Sequence, residues 1–342
     1  MSRTRVTIKF IAQKAGMSFS TVAKALQDDP AITHKTRERI KGIARQYNYR
    51  PNILAKALRS RRTRTIGVIL NDLQSPFYSE IYKAIGDVLN TKGYTMLLAD
   101  SSYDEAREKR NISTMISQGV EGIIISSVSE DSRNIRLLLE EQVKTVFIDS
   151  QPAEAGASYV YVDHQHAARM GSEYLVSRGH QKILLLNGPQ HLPSSRRFRE
   201  GYLATLNTRG LPAPERLIKH NPISIEDTCS QLDLIQHGQD SAGPEDFTAM
   251  LALSDVIAMG VYESAMRHGF SIPGTYSVVG YDNILATRYL KPALTTIHQP
   301  KEQTGRISIS LLMEQIETNA NTPIQVVLDP QLIERDSVQR IA

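Results

Sequence analysis

Thr7-Ile8-Lys9-Phe10-Ile11-Ala12-Gln13-Lys14-Ala15-Gly16-Met17-Ser18-Phe19-Ser20-Thr21-Val22-Ala23-Lys24-Ala25-Leu26 holds two helix starts and one helix stop in a single short run. Thr7 can cap a helix on which Ile8, Ile11, Ala12 and Ala15 share one apolar face, spaced i, i+3, i+4, i+7. Gly16 tolerates positive φ and ends it. Ser18 caps a second helix, with Val22, Ala25 and Leu26 inward and Phe19, Ser20, Ala23, Lys24 and Gln27 on the opposite side. Asp28-Asp29-Pro30 breaks that helix. Thr33 or His34 opens a third, with Ile40, Ile43, Ala44 and Tyr47 inward. Helix, tight glycine turn, short helix, loop, helix is the helix-turn-helix plan, whose second helix enters the DNA major groove. A structural three-helix bundle would share the apolar pattern. The Ser, Thr and Lys on the outer side of a short second helix favour the DNA reading.

Charge agrees with it. Residues 1–64 hold 16 Lys and Arg against Asp28, Asp29 and Glu38, a net of +13. The other 278 residues hold 24 basic and 33 acidic side chains, a net of −9, which brings the whole chain to +4. A basic head on an acidic body points to a polyanion-binding module joined to something else. At about 150 residues per domain, 342 residues predict two or three domains. With 20 Gly, 15 Pro and 41% hydrophobic residues the composition is globular. Cys229 has no second cysteine to pair with, which fits a reducing compartment. Apolar runs such as Gly122-Ile123-Ile124-Ile125 are too short to span a bilayer. Met1-Ser2-Arg3-Thr4-Arg5 is followed by polar, Lys-rich sequence and not by a signal peptide's apolar stretch. A cytoplasmic protein without membrane contact is expected.

The body alternates β-branched runs with amphipathic stretches. Strands are expected at residues 65–70, 94–100, 122–126, 145–149, 159–162, 182–186, 249–253 and 277–280. Helices are expected at 77–92, 104–118, 132–142, 164–178, 197–209 and 255–268. This order implies parallel sheets with helices on both faces, and there are strands enough for two. The fold class is therefore α/β, with an N-terminal all-α helix-turn-helix head.

Nucleotide-binding glycine loops and a G-x-S-x-G nucleophile turn do not occur. His164 and His166 stand two apart, without Cys or Glu at ligand spacing, so neither a metal nor a cofactor is expected. Asp149 and Asp282 each end a strand at its carboxyl edge, where open α/β sheets bind ligands. A lone carboxylate there suits binding better than catalysis, so no enzyme activity is expected.

The head resembles the DNA-binding domain of the lactose-repressor (LacI/GalR) family. The resemblance rests on Thr7-Ile8, Ile11-Ala12, Ala15-Gly16, Ser18, Thr21-Val22, Leu26, Thr36-Arg37, Ile40, Tyr47, Asn48-Tyr49 and Pro51-Asn52. Ile53 to Ser60 is similar to that family's hinge helix. The resemblance implies DNA contacts from Thr7, Ser18, Phe19, Ser20, Thr21 and Lys24 in the head. In the hinge it implies contacts from Asn52, Ala55, Lys56, Leu58 and Arg59, with Leu58 wedged between base pairs. Phe10 stands where the family usually has Asp, and Ala23-Lys24 where Ser-Arg is common. Lysine is a point charge, whereas arginine reads guanine with two donors.

The body resembles the same family through Ser75-Pro76-Phe77-Tyr78, Arg178-Gly179-His180, Val278-Val279-Gly280-Tyr281-Asp282-Asn283 and Gln299-Pro300. The resemblance implies a periplasmic-binding-protein-like core of two Rossmann-like subdomains with a small effector between them, in that family mostly a sugar or sugar phosphate and sometimes a purine. The implied plan is a head at 1–50, a hinge and linker at 51–64, and a core at 65–342. Subdomain one would take 65–162 and 293–325, and subdomain two 163–292 and 326–342. Phe77, Tyr78, Asp149, Ser254, Asp282 and Gln299 would line the cleft. Phe198 stands where an arginine is usual; Arg197 and Arg199 flank it, and Arg197 is the expected substitute. No heptad helix follows Val338, so a homodimer is expected on a roughly palindromic double-stranded operator. The function implied is an effector-controlled transcriptional regulator, a repressor. A transporter's solute-binding protein would share the core but not the +13 head, and an α/β enzyme is the more distant rival.

Overall fold

The computed structural model describes residues 6–49, 62–154, 156–319 and 322–341. The chain divides into two compact units, residues 1–63 and 64–342. The hinge residues expected at the DNA, Asn52, Ala55, Lys56, Leu58 and Arg59, lie outside the described residues.

The first unit is built on three helices, α1 (Ile8–Ala15), α2 (Phe19–Ala25) and α3 (His34–Gln46). Each begins at a hydroxyl cap. Thr7 accepts from the Phe10 amide, Ser18 from Thr21 and Thr33 from Thr36. Gly16 ends α1 at φ +63, a conformation that costs a residue with a Cβ about 1 kcal/mol or more. The core is small: Ile11, Val22, Ala25 and Ile40 are sealed from solvent, with Phe10, Ile43 and Tyr47 packed around them. Ala23, expected on the outer side of α2, is buried as well. The apolar stripe of this short helix therefore runs Val22-Ala23-Ala25, and Leu26 is only half-buried.

The second unit contains two lobes. Lobe one opens with β1 (Thr65–Leu70), α4 (Pro76–Thr91), β2 (Thr95–Asp100), α5 (Glu105–Ser117), β3 (Gly122–Ile125), α6 (Arg133–Glu140), β4 (Thr145–Ile148) and β5 (Ser158–Val162). Lobe two follows with α7 (His164–Ser177), β6 (Ile183–Asn187), α8 (Pro193–Thr208), β7 (Ile218–His220), α9 (Ile225–Gln236), β8 (Ala249–Ala252), α10 (Asp255–His268), β9 (Ser277–Asp282) and β10 (Thr295–His298). The chain then returns to lobe one for α11 (Lys301–Thr318) and β11 (Gln325–Leu328), and ends in lobe two with β12 (Gln331–Ile333).

The sheets run β11-β5-β4-β3-β1-β2 and β12-β10-β9-β8-β6-β7. Every pairing is parallel except β10 with β12. Alternation along a strand supplies both faces of lobe one. Ile66, Val68 and Leu70 pack beneath α4 and α11, while Ile69, Ile123 and Phe147 pack beneath α5 and α6. Where α11 meets α4, a Cβ on Gly305 would stand 2.7 Å from the Ile81 carbonyl oxygen, so only glycine allows that approach.

Two expected boundaries are corrected. β10 belongs to the second sheet, so the return to lobe one comes after His298 and not near residue 293. β11 pairs with β5 through Leu328, so the last crossing comes after 328 and not after 325. In both cases a strand completes its ladder before the chain crosses, because leaving earlier would strand backbone donors and acceptors. α8 also starts earlier than the expected residue 197, with Pro193 in its first turn, where the missing amide costs nothing. Among the described residues no helix is long and apolar enough to cross a membrane.

Candidate functional site

Both sheets present the carboxyl ends of their parallel strands to one cleft, of about 630 Å³ including its open mouth. Asn71 follows β1, Ser127 follows β3 and Asp149 follows β4; across from them Ser254 follows β8, Asp282 ends β9 and Gln299 follows β10. Phe77 and Tyr78 come from the first turn of α4 and His164 from that of α7. Strand ends and helix starts place these polar groups where the regular structure has released them.

A hydrogen-bonded relay runs along the floor. Tyr78 Oη donates to Asp149 Oδ2 at 2.9 Å and lies 3.0 Å from Ser126 Oγ. Asn71 Nδ2 donates to that same Ser126 oxygen at 3.0 Å, and Ser101 Oγ donates to Asn71 Oδ1 at 2.8 Å. His164 stands beside this relay: its Nε2 lies 3.3 Å from Asp149 Oδ1 without a hydrogen bond, and its Nδ1 lies 2.9 Å from the Tyr281 hydroxyl. Burial, with the Asp149 charge adding to it, pushes the phenols of Tyr78 and Tyr281 far above their ordinary range, so both stay protonated.

Asp282 forms the second polar cluster. Its Oδ1 accepts from Gln299 Nε2 at 2.7 Å. Its backbone sits at φ +122, a region that costs a non-glycine residue about 1–3 kcal/mol and is tolerated where the surroundings fix it. The Lys301 ammonium does that fixing by donating to the Asp282 backbone carbonyl, with those of Asn283 and Gln299 also in reach. Burial raises the Asp282 carboxyl well above its usual value, and the neighbouring Asp255 adds to the rise. Asp255 is itself sealed in, accepting from Thr296 Oγ1 at 2.6 Å and the Ile284 amide at 2.8 Å.

The structure thus brings six of the expected cleft residues together: Phe77, Tyr78, Asp149, Ser254, Asp282 and Gln299. Ser254 also caps α10, accepting from the Ile257 amide at 3.1 Å, so its hydroxyl has its proton left to donate. Arg197 is the correction. It does not line the cleft; its guanidinium holds both Glu130 oxygens at 3.0 Å and lies over the Tyr161 ring. Phe198 turns inward, fully buried, with its ring 5.4 Å from that of Tyr281. Asn71, Tyr103, His164 and Tyr281 line the cleft although sequence reasoning placed none of them there. Their signal was position: each but Tyr103 lies at a strand's carboxyl end or a helix's start, as Asp149 and Asp282 do.

In the head, Phe19, Ser20 and Lys24 stand exposed on α2, and the exposed Thr7 and Ser18 are the caps of α1 and α2. Thr21, half-buried, bonds the Ser18 hydroxyl at 2.9 Å. Phe10 leaves the polar face altogether, its ring edge-on to Tyr47 at 5.1 Å with the Lys14 ammonium over it.

Two family profiles match the chain. "Bacterial regulatory proteins, lacI family" matches residues 7–52, and "Periplasmic binding proteins and sugar binding domain of LacI family" matches residues 63–335. The ribose operon repressor of Escherichia coli (strain K12) is 28% identical over 334 residues, covering 97% of this chain and 99% of that protein. The transcriptional repressor PurR of Proteus mirabilis (strain HI4320) is 28% identical over 335 residues, covering 97% and 96%. Among solved structures, the lac repressor dimer bound to operator and the anti-inducer ONPF has a TM-score of 0.84 at 25% identity, covering 98% of this chain and all of that one.

Proposed function

The chain belongs to the lacI family of bacterial regulatory proteins, and from that premise we propose that it is a transcriptional repressor whose grip on operator DNA answers to a small effector in the cleft. The observation that carries the reading is the joining of two devices in one chain. A short helix offers Phe19, Ser20 and Lys24 to solvent in a strongly basic head, and a cleft gathers polar groups from two lobes. The relatives are repressors by name, and the lac repressor structure is a dimer on its operator, which supports a homodimer on a roughly palindromic site.

Head residues Ser20 and Lys24 would read base edges, while Thr7, Ser18, Phe19 and Thr21 would seat α2 in the groove. In the cleft, Phe77 and Tyr78 give packing surfaces and Asp149, Ser254, Asp282 and Gln299 give hydrogen bonds. We read the cleft as a binding site and not as a catalytic one, because Asp149 and Asp282 each already accept from a neighbouring side chain. A protein that works on operator DNA belongs in the cytoplasm. The effector acts by changing lobe closure, with a coupling of about 1–3 kcal/mol.

Salt tests the DNA half of the reading. If the head neutralises about 6–10 phosphates, operator affinity falls about 10³–10⁵-fold between 50 and 200 mM salt. A flat salt response overturns it.

A further inference from the structure

The cleft lies at the carboxyl ends of the lobe-one strands, and the chain enters lobe one at their opposite ends. β1 stands between β2 and β3, and the entries of all three strands meet around Arg64. The Arg64 carbonyl accepts from the Thr95 amide of β2 at 2.8 Å. Its amide donates at 2.7 Å to Oε1 of Glu121, the residue before β3. In a regular strand the N–H and C=O of one residue face the same neighbour. At Arg64 they face opposite sides of β1, in keeping with its φ of +51. The chain path turns at Arg64 through a left-handed conformation, which a residue with a Cβ avoids unless its surroundings hold it.

Glu121 does the holding. Its Oε2 accepts from the Tyr94 hydroxyl at 3.0 Å, and its own amide donates to the Thr65 carbonyl at 2.8 Å. Both carboxylate oxygens and the backbone of this residue are therefore tied to the entries of β1 and β2. The carboxylate supplies the acceptor that the Arg64 amide would otherwise lose by turning out of the ladder. Without it the left-handed turn loses a support, and an extended Arg64 would send the preceding residues along a different path.

Two heads engage two half-sites at once only if their separation suits the DNA. The path by which each chain leaves its core contributes to that separation. We infer that Glu121 is a positioning residue for DNA recognition: by pinning Arg64 it sets the direction in which the chain departs toward the head, and with it the half-site spacing that the dimer accepts. This rests on the proposed reading of the chain as a dimeric repressor.

The test measures spacing. A half-site is selected from random duplex DNA with the full-length parent. Affinities are then measured for duplexes that carry two inverted copies separated by zero to about six base pairs, and for a single copy. The parent is expected to prefer one spacing at least about tenfold over its neighbours. Glu121→Ala removes the acceptor and is expected to bring that preference below about threefold, with single-copy affinity changed by no more than about threefold. Arg64→Pro removes the amide and forbids positive φ, and is expected to broaden the preference in the same way. Arg64→Ala keeps the amide, controls for the lost guanidinium, and is expected to keep the preference. Glu121→Gln keeps an acceptor for the Arg64 amide and is also expected to keep it, which separates the bond from the charge. Thermal unfolding is recorded for each variant. A lower melting temperature in Glu121→Ala with the parent's spacing preference intact would make Glu121 a structural anchor only and overturn the inference. Equal broadening in Glu121→Gln and Glu121→Ala, or a parent indifferent to spacing, would overturn it too. A parent that enriches no sequence would sink the repressor reading itself.

Discussion

The Arg197 guanidinium holds both carboxylate oxygens of Glu130 at 3.0 Å, and the two residues belong to different lobes. Nη1 adds a bond to Gln151 Oε1 at 2.5 Å, again across the boundary. The pair ties the two lobes together, so it biases the closure through which an effector would act. Partial burial and the added Nη1 bond to Gln151 lift it above an ordinary surface ion pair.

A double-mutant cycle with Arg197→Met and Glu130→Gln should return a coupling of about 1 kcal/mol in denaturant unfolding. Both single variants should also change the ratio of operator affinities with and without effector. A coupling within error of zero would reduce the pair to a bystander.

Asp282 sets a pH dependence with a definite sign. Burial raises its carboxyl well above 3.8, Asp255 pushes the same way, and Lys301 and Gln299 oppose. The folded protein then keeps a proton that the unfolded chain loses near pH 4. Below about pH 4 both states are protonated and the group contributes nothing to the slope. Above that, the folded state binds more protons, so stability falls as pH rises toward the raised value. Asp282→Asn removes the ionisation and keeps an acceptor for Gln299. The variant should therefore melt higher than the parent near pH 8, with the difference shrinking toward pH 4. Burial raises Asp255 in the same direction, so some slope should persist in the variant. Parallel melting profiles for the two proteins would show that Asp282 carries no such penalty.

How much of this was legible beforehand depended on where apolar residues met water. Strands such as Ile66 to Leu70 and Ile123 to Ile125 are buried on both faces, so they read as continuous β-branched runs. α11 escaped because half of its buried face is polar: Thr304, Ser308 and Gln315 are covered along with Ile309 and Leu312, and the period is lost. β7 is three residues long and one of them is Lys219, paired with Asp240. In the cleft, Asp149 and Asp282 were legible as strand-end carboxylates. His164 was not, because its hydrogen-bond partner Tyr281 lies far from it in sequence. Arg197 was misplaced since neighbours on a helix differ by about 100° in direction, which sends Phe198 into the core and Arg197 to the lobe boundary.

Phe10 occupies the third position of α1, where an acidic residue would favour the helix dipole by about 0.3–1 kcal/mol. Phe10→Asp would gain that and lose the edge contact to Tyr47, about 0.5–1.5 kcal/mol, together with half-buried ring surface at about 25 cal/mol per Å². The losses outweigh the gain in a head whose core is this small. Amides of α1 should exchange with deuterium faster in the variant. Slower exchange would mean that the dipole dominates.

Ser20 and Lys24 stand one helical turn apart on the exposed side of α2, so both can face the same few base pairs. Neither is held by the fold: Ser20 is not the cap of its helix, and Lys24 makes no ion pair with Asp28, which takes Lys41 instead. Replacing either with Ala should leave the head folded, since Ala is the better helix former. If they contact base edges, each replacement should cost about 1–3 kcal/mol on the preferred operator and less on operators altered at one position, so specificity relaxes there. If they contact phosphate, affinity should fall equally across all operators and the salt slope should shrink by about one. Lys24→Arg sharpens the distinction. Its planar fork favours guanine, so a base contact predicts a changed preferred base and a phosphate contact predicts none. Selection of bound sequences from a randomised operator half-site, run on the parent and the three variants, reads all of these outcomes at once. Unchanged base preference in every variant would remove α2 from the role of reader.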